Sequence, residues 1–229
     1  MRIDEFYYKQ PEPKFVDWLN SPLHEAPPEL FDRVIPNTDE VFIKGAFVAE
    51  CLEGWRDVLF TATSDFEKFL RSSKSYGDQY PIKIVFTEGF SEESYKISVS
   101  EKECVIHSSD SEGARRAIYY LEEEMIKREG AILPIGEIKR EAVIKRRITR
   151  GFFSPTNRPP KWGDELLDEI DYYPENYLNR LSHNGTNGLW IYTSFAQLIS
   201  SPYIPSKDEN CEKRMQKLAG IVEKCKVGN

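Results

Sequence analysis

The chain has 229 residues, 40% hydrophobic and 30% charged, an ordinary globular balance with room for one large domain or two small ones. A formal net charge of −7 without a basic stripe argues against nucleic acid as a partner. No stretch approaches the roughly eighteen apolar residues of a membrane span, and the N-terminus "MRIDEFYYKQPEP" lacks a signal-peptide core, so the chain as given reads as cytoplasmic, with a secreted parent left open.

Residues 1–39 are rich in proline and acidic side chains and read as an irregular lead-in with one short helix near 15–19. From residue 40 the texture changes. "EVFIKGAFVAE" is β-branched and apolar and predicts one strand. "EGWRDVLFTATSDFEKFLRSS" carries apolar residues at helical spacing. "YPIKIVFTEG" alternates as a strand, and "ESYKISVSEKECVIHSSD" predicts a hairpin turning at "SEKE". "SEGARRAIYYLEEEMIKREG" predicts a helix capped by Ser111 and ended at Gly130. With the short strands of "AILPIGEIKR", residues 40–140 read as an α+β accessory domain, a mixed sheet with its helices on one face.

Residues 141–229 follow another grammar. "ITRGFF" predicts a strand, "SPTNRPPKWGDELLDEIDY" a long loop, and "YPENYLNRLSHNG" a helix opened by Pro174. "TNGLWIYTSF" predicts a second strand, "AQLISSPYIPSKDEN" a loop and "CEKRMQKLAGIVEKCK" an amphipathic helix. Strand, helix, strand, helix with long loops after the strands is the pattern of an incomplete (β/α) barrel segment, in which those loops build the site. No phosphate-binding loop, dinucleotide fingerprint or zinc-protease motif occurs, so neither cofactor nor metal is expected. The four cysteines form no CxxC pair and read as free thiols. The sequon at Asn184 is expected to be idle without a secretory signal.

The stretch "SYKISVSEKECVIHSSDSEGARRAIYYLEEEM", the "LPIGEIKREAVIKRRITRGFF" that follows it, and "YYPENYLNRLSHNGTNGLWIYTSF" resemble the N-terminal module and first barrel elements of the family 20 glycoside hydrolases, the β-N-acetylhexosaminidases. α-Glucuronidase families carry the same accessory module before a barrel. The resemblance implies that residues 141–229 are the first two βα units of a TIM-barrel-like catalytic domain. It implies a parent that cleaves glycosidic bonds, with carbohydrate as partner. The family's catalytic Asp-Glu pair belongs to the end of the fourth barrel strand, so no catalytic residue is assigned here and the chain is expected to be inactive alone. Two departures leave the sugar open: Ser154 to Arg158 and two prolines occupy the region of the usual Asp and Ser-Arg-His, and the second strand ends in Trp190 to Phe195 where a His-x-His is usual. The alternatives are a non-catalytic carbohydrate- or protein-interaction module, or the front of an α-glucuronidase-like hydrolase.

In that family the arginine of the Arg-Gly pair binds hydroxyls of the terminal sugar, which singles out Arg150. A planar fork of donors suits vicinal hydroxyls, although an arginine paired to a structural carboxylate would look the same in sequence. Alternation predicts Ile148, Arg150 and Phe152 on one face of the strand. Asn157, Arg158 and Trp162 in the following loop are further substrate-binding candidates, as is Tyr192, which with Ser194 closes the second strand at the pocket mouth. The carboxylate run from Asp164 to Asp171 reads as a solvated face, and His107 as structural. Exposed edges of the incomplete barrel would permit self-association.

Overall fold

The computed structural model describes residues 13–23, 35–152, 164–199, 203 and 210–228. The chain divides into two compact units, one of residues His24–Lys145 and one of Met1–Leu23 with Arg146–Asn229. The lead-in set apart as 1–39 is therefore shared between them, and its helix α1 (Pro13–Asn20) belongs with the C-terminal residues.

In the sheet unit, β1 (Glu40–Phe42) and β2 (Ala46–Cys51) replace the single strand expected from "EVFIKGAFVAE". The break is Gly45, whose φ of +76° strains any residue with a Cβ and whose carbonyl accepts from the backbone of Gln79 and Tyr80. A 3-10 turn over Glu53–Trp55 leads into α2 (Arg56–Ser72). There follow β3 (Tyr80–Phe86), β4 (Tyr95–Val99), β5 (Cys104–Ser108) and α3 (Ser111–Lys127), then β6 (Ile132–Pro134) and β7 (Gly136–Arg140). The sheet runs β2-β3-β5-β4-β7, with β2, β3 and β5 parallel and β4 antiparallel to both its neighbours. β1 and β6 form a separate antiparallel ribbon. The expected hairpin has Val99 opposite Cys104 and Tyr95 opposite Ser108.

Residues alternate strictly between buried and half-buried along β4 and β5. Ile82, Ile84, Ile97 and Ile106 point into a core shared with Leu59 and Phe66 of α2 and Ile118 and Leu121 of α3. The other face of the sheet carries Lys83, paired to Glu103 at 3.0 Å, and Lys96, paired to Glu137 at 2.8 Å. This is the one-sided burial that an alternating pattern encodes. The helix cap differs by one residue from expectation. Asp110, not Ser111, is the N-cap of α3 and accepts from the Gly113 amide at 2.6 Å. At the other end Glu129 takes the left-handed conformation, with Glu129 N–H bonded to Ile126 and Gly130 N–H to Met125, a Schellman closure.

In the second unit, β8 (Ile148–Arg150) and β9 (Gly188–Trp190) pair in parallel, with α4 (Glu175–His183) between them in the chain. Both strands are shorter than "ITRGFF" and "TNGLWIYTSF" suggest. Residues 191–194 leave the ladder, and Ser194 with Gln197 forms a capping box that starts α5 (Phe195–Leu198). α6 (Cys211–Gly228) closes the described chain. Helix α1 docks on α4 through its own C-terminus. Arg180 donates to the carbonyls of Trp18, Leu19 and Ser21, and Asn176 to that of Asn20 at 2.7 Å. Those of Trp18, Leu19 and Asn20 belong to the last turn of α1, whose carbonyls a helix end leaves without intrahelical partners. The core of this unit is aromatic: Tyr172, Tyr173, Tyr177 and Leu19 surround Phe152, whose ring centroid lies 5.1 Å from Tyr177 and 5.2 Å from Phe15. Among the described residues no helix is long and apolar enough to cross a membrane.

Candidate functional site

The parallel pairing of β8 with β9 brings two sequence-distant residues side by side, because Arg150 stands opposite Trp190 in the register. The Arg150 side chain is exposed, and its guanidinium carbon lies 5.5 Å from the centroid of the Trp190 ring. That is cation–π distance. Trp190 is 53% exposed, so an arginine and an open indole share the C-terminal end of the strand pair, and Tyr192, 46% exposed, follows beyond the strand in the chain. Among the described residues Arg150 forms no ion pair. Asn157, Arg158 and Trp162 lie outside the described residues.

Alternation holds for Ile148 and Arg150, which are both exposed, and fails at Phe152. The strand ends at Arg150, and Phe152 turns into the aromatic core instead of sharing the arginine's face. The start of β8 is fixed from the other side. The Arg147 amide donates to Asn187 Oδ1 at 2.8 Å, the Asn187 amide donates back to the Arg147 carbonyl at 3.0 Å, and Arg147 Nε reaches the Gly185 carbonyl. The "HNGTNG" turn is thus a structural clasp that sets the register of the two strands.

The carboxylate run is the main correction. Asp164 and Glu165 do not sit on a solvated face. They are 9% and 2% exposed, and Glu165 packs beneath Gly151 at the end of β8. Asp164 Oδ2 accepts from Arg214 Nε at 3.0 Å and Nη2 at 2.8 Å, while its other oxygen accepts from the Leu166 amide. Glu165 accepts from the Tyr173 hydroxyl. Burial and that hydrogen bond push the Tyr173 phenol well above its ordinary range, with the Phe152 backbone opposing the shift. Asp168 accepts from the Tyr172 hydroxyl at 2.8 Å, and burial raises that phenol too. Lys217, turned inward onto the carbonyls of Asp168 and Ile170, is lowered by burial. Glu169 and Asp171 remain exposed, as the run suggests. Nothing local distinguishes the buried pair from the exposed one. Their partners are Tyr173 and, fifty residues downstream, Arg214.

Ser194 serves the α5 cap, not a pocket. His107 lies on the solvent face of the sheet, 3.1 Å from the Thr87 hydroxyl, and burial lowers its pKa. Beside β9 a cavity of about 590 Å³ opens between α4 and α6, lined by Leu178, Leu181, Leu189, Ile191, Leu218 and Val222 among others, with no carboxylate among the described residues of its wall. No group of side chains among the described residues is arranged to hold a metal ion.

No family model matches the chain, and no curated protein matches it in sequence. The similarities are structural. A GH138 enzyme targeting pectin rhamnogalacturonan II superposes with a TM-score of 0.60 at 15% identity, over 80% of this chain and 30% of its own. A β-N-acetylhexosaminidase from Bacteroides fragilis gives a TM-score of 0.54 at 13% identity, over 90% and 43%. The structure of CpGH84B gives 0.51 at 17%, over 85% and 34%. The chain therefore spans less than half the length of each of these structures. The glycoside-hydrolase resemblance holds at the level of fold, and at these identities it does not separate family 20 from the others.

Proposed function

We propose that the chain is the front part of a carbohydrate-active glycoside hydrolase: an accessory α+β module followed by the first two βα units of an incomplete barrel, with the sugar pocket at the C-terminal ends of β8 and β9. The observation that carries the reading is the exposed Arg150 guanidinium held over Trp190, with Tyr192 nearby in the chain beyond the strand. An arginine fork donates to vicinal hydroxyls, and open aromatic faces accept the apolar face of a sugar ring. In a barrel this end of the strands is where substrate is bound. Asn157, Arg158 and Trp162 are proposed as further sugar contacts, on sequence alone.

The proposal gives the isolated chain a binding role without hydrolysis. Most glycoside hydrolases use two carboxyl groups flanking the scissile bond, and Asp164 and Glu165, the buried acids closest in sequence to this strand end, are engaged with Arg214 and Tyr173. The parent's sugar is left between N-acetylhexosamine and uronic acid.

The test is titration of the chain with N-acetylglucosamine and with glucuronic acid, monitored by isothermal calorimetry. Arg150→Ala is expected to weaken whichever sugar binds by roughly 1.5–3 kcal/mol, the range of a charged hydrogen bond. Unchanged affinity accompanied by lost stability would make Arg150 a structural residue.

A further inference from the structure

We infer that Glu165 and Tyr173 are positioning residues for Arg150, acting through the backbone of Gly151; the functional meaning of this rests on the sugar-contact reading of Arg150, but the coupling itself does not. The Gly151 amide extends the β8–β9 ladder by donating to the Trp190 carbonyl at 2.8 Å. That bond follows directly on the Arg150–Trp190 pair, so the placement of Gly151 sets where Arg150 meets the indole. What sets Gly151 is the buried pair behind it. A Cβ at this position would stand 2.5 Å from the Tyr173 hydroxyl and 2.7 Å and 3.1 Å from the two Glu165 oxygens. The backbone therefore rests directly on a carboxylate and a phenol whose residues are 2% and 1% exposed.

The platform is itself held at several points. The Tyr173 hydroxyl donates to Glu165 and also meets the Phe152 backbone, one residue past Gly151. The Tyr173 ring packs 5.8 Å from Phe152 and 6.4 Å from Tyr177. Asp164, next to Glu165, is clamped by Arg214. A buried carboxylate is costly and stays only where its partners are fixed. Here those partners leave one slot, and the residue after Arg150 fills it with no side chain at all. Arg150 is thereby presented on a rigid floor although its own side chain is exposed, which is what a preorganised donor fork requires.

The experiment is a coupling measurement by NMR on the full chain, labelled with 15N. The indole N–H resonance of Trp190 is assigned by its loss in Trp190→Phe. Arg150→Ala is expected to shift that resonance in the parent sequence. The same substitution made in a Tyr173→Phe background, which lacks the hydroxyl that keys Gly151, is expected to shift it little or not at all. Gly151→Ala provides a second background that displaces the platform from the other side, and loss of the Arg150 effect is expected there too. A full-size Arg150 effect in either background, once that protein is folded, overturns the inference, because the platform would then be structural only. The sugar titration stays separate: intact coupling with no effect of Arg150→Ala on binding would remove the sugar reading and leave the positioning role standing.

Discussion

In the sheet unit the strands run five to seven residues where they form the core, and the buried layer is built from Ile82, Ile84, Ile97 and Ile106 against Leu59 and Phe66. In the βαβ unit each strand is three residues long, and the buried layer is Phe152 among tyrosines, with Asp164, Glu165 and Arg214 inside it. Aliphatic burial is non-directional and needs only the right pattern of side chains. A core with carboxylates in it is stable only if each polar atom meets its partner, so it depends on residues brought together from far apart.

The largest effects come from breaking each core by its own chemistry. Phe66→Ala should cost about 3–5 kcal/mol as a buried aromatic truncation. Arg214→Ala should cost a similar amount, about 3–5 kcal/mol, because it strands Asp164 as a buried charge. Hydrogen exchange should place the lost protection in residues 24–145 for the first and in the βαβ unit for the second. The two differ in what can repair them. Combining Asp164→Leu with Arg214→Met should restore most of the lost stability, since replacing both members of a buried pair by apolar groups is often neutral or better. If the double variant is as unstable as Arg214→Ala alone, the polar core is not the pairwise device described above.

This difference explains what is legible in the sequence. The alternation of β4 and β5, the hairpin between them and the periodicity of α2 and α3 are local patterns, and they appear in the structure nearly where the sequence puts them. The division of "EVFIKGAFVAE" escapes such patterns because a single φ at Gly45 decides it, and apolar runs do not report φ. The burial of Asp164 and Glu165 escapes them because "DELLDEIDYY" has the look of a solvated face, and Arg214, which clamps Asp164, is not in it. The docking of α1 depends on Arg180, about 160 residues away in the chain. Arg150 is legible as a candidate from its Arg-Gly pair, whereas its partner Trp190 follows only from the parallel register.

A smaller effect sharpens the comparison at the strand end. Gly151→Ala adds one methyl group where the nearest atoms are buried and hydrogen-bonded to each other. Overpacking of this kind costs about 1–3 kcal/mol. Glycine-to-alanine changes in unstrained, open positions instead stabilise slightly by restricting the unfolded chain. Gly54, with an ordinary φ and no heavy atom within 4 Å of where a Cβ would stand, is the matching control in the sheet unit. Chemical denaturation should show a fall for Gly151→Ala and no fall of that size for Gly54→Ala; equal behaviour would mean that the Glu165–Tyr173 platform yields easily.

The smallest expected effect concerns the start of α3, where two neighbouring residues compete for one role. Ser111 has the chemistry of a cap, but Asp110 has the geometry: its backbone is extended at φ −142°, and one carboxylate oxygen accepts from Gly113. Its other oxygen accepts from the Glu93 amide at 3.0 Å, and Glu93 is held in the left-handed conformation at φ +59°. Asp110 therefore ties the helix start to the turn before β4, and its loss leaves two amides without their acceptor. Asp110→Ala should cost about 1–2 kcal/mol, the upper part of the range for a cap. Ser111→Ala, at the first helical position, should cost much less, because alanine is the better helix former there. Asp110→Asn keeps the shape of the side chain but only one acceptor oxygen, so it should fall between the two. Thermal unfolding of the three variants gives the order directly, and a larger loss for Ser111→Ala than for Asp110→Ala would return the cap to the residue that composition alone favours.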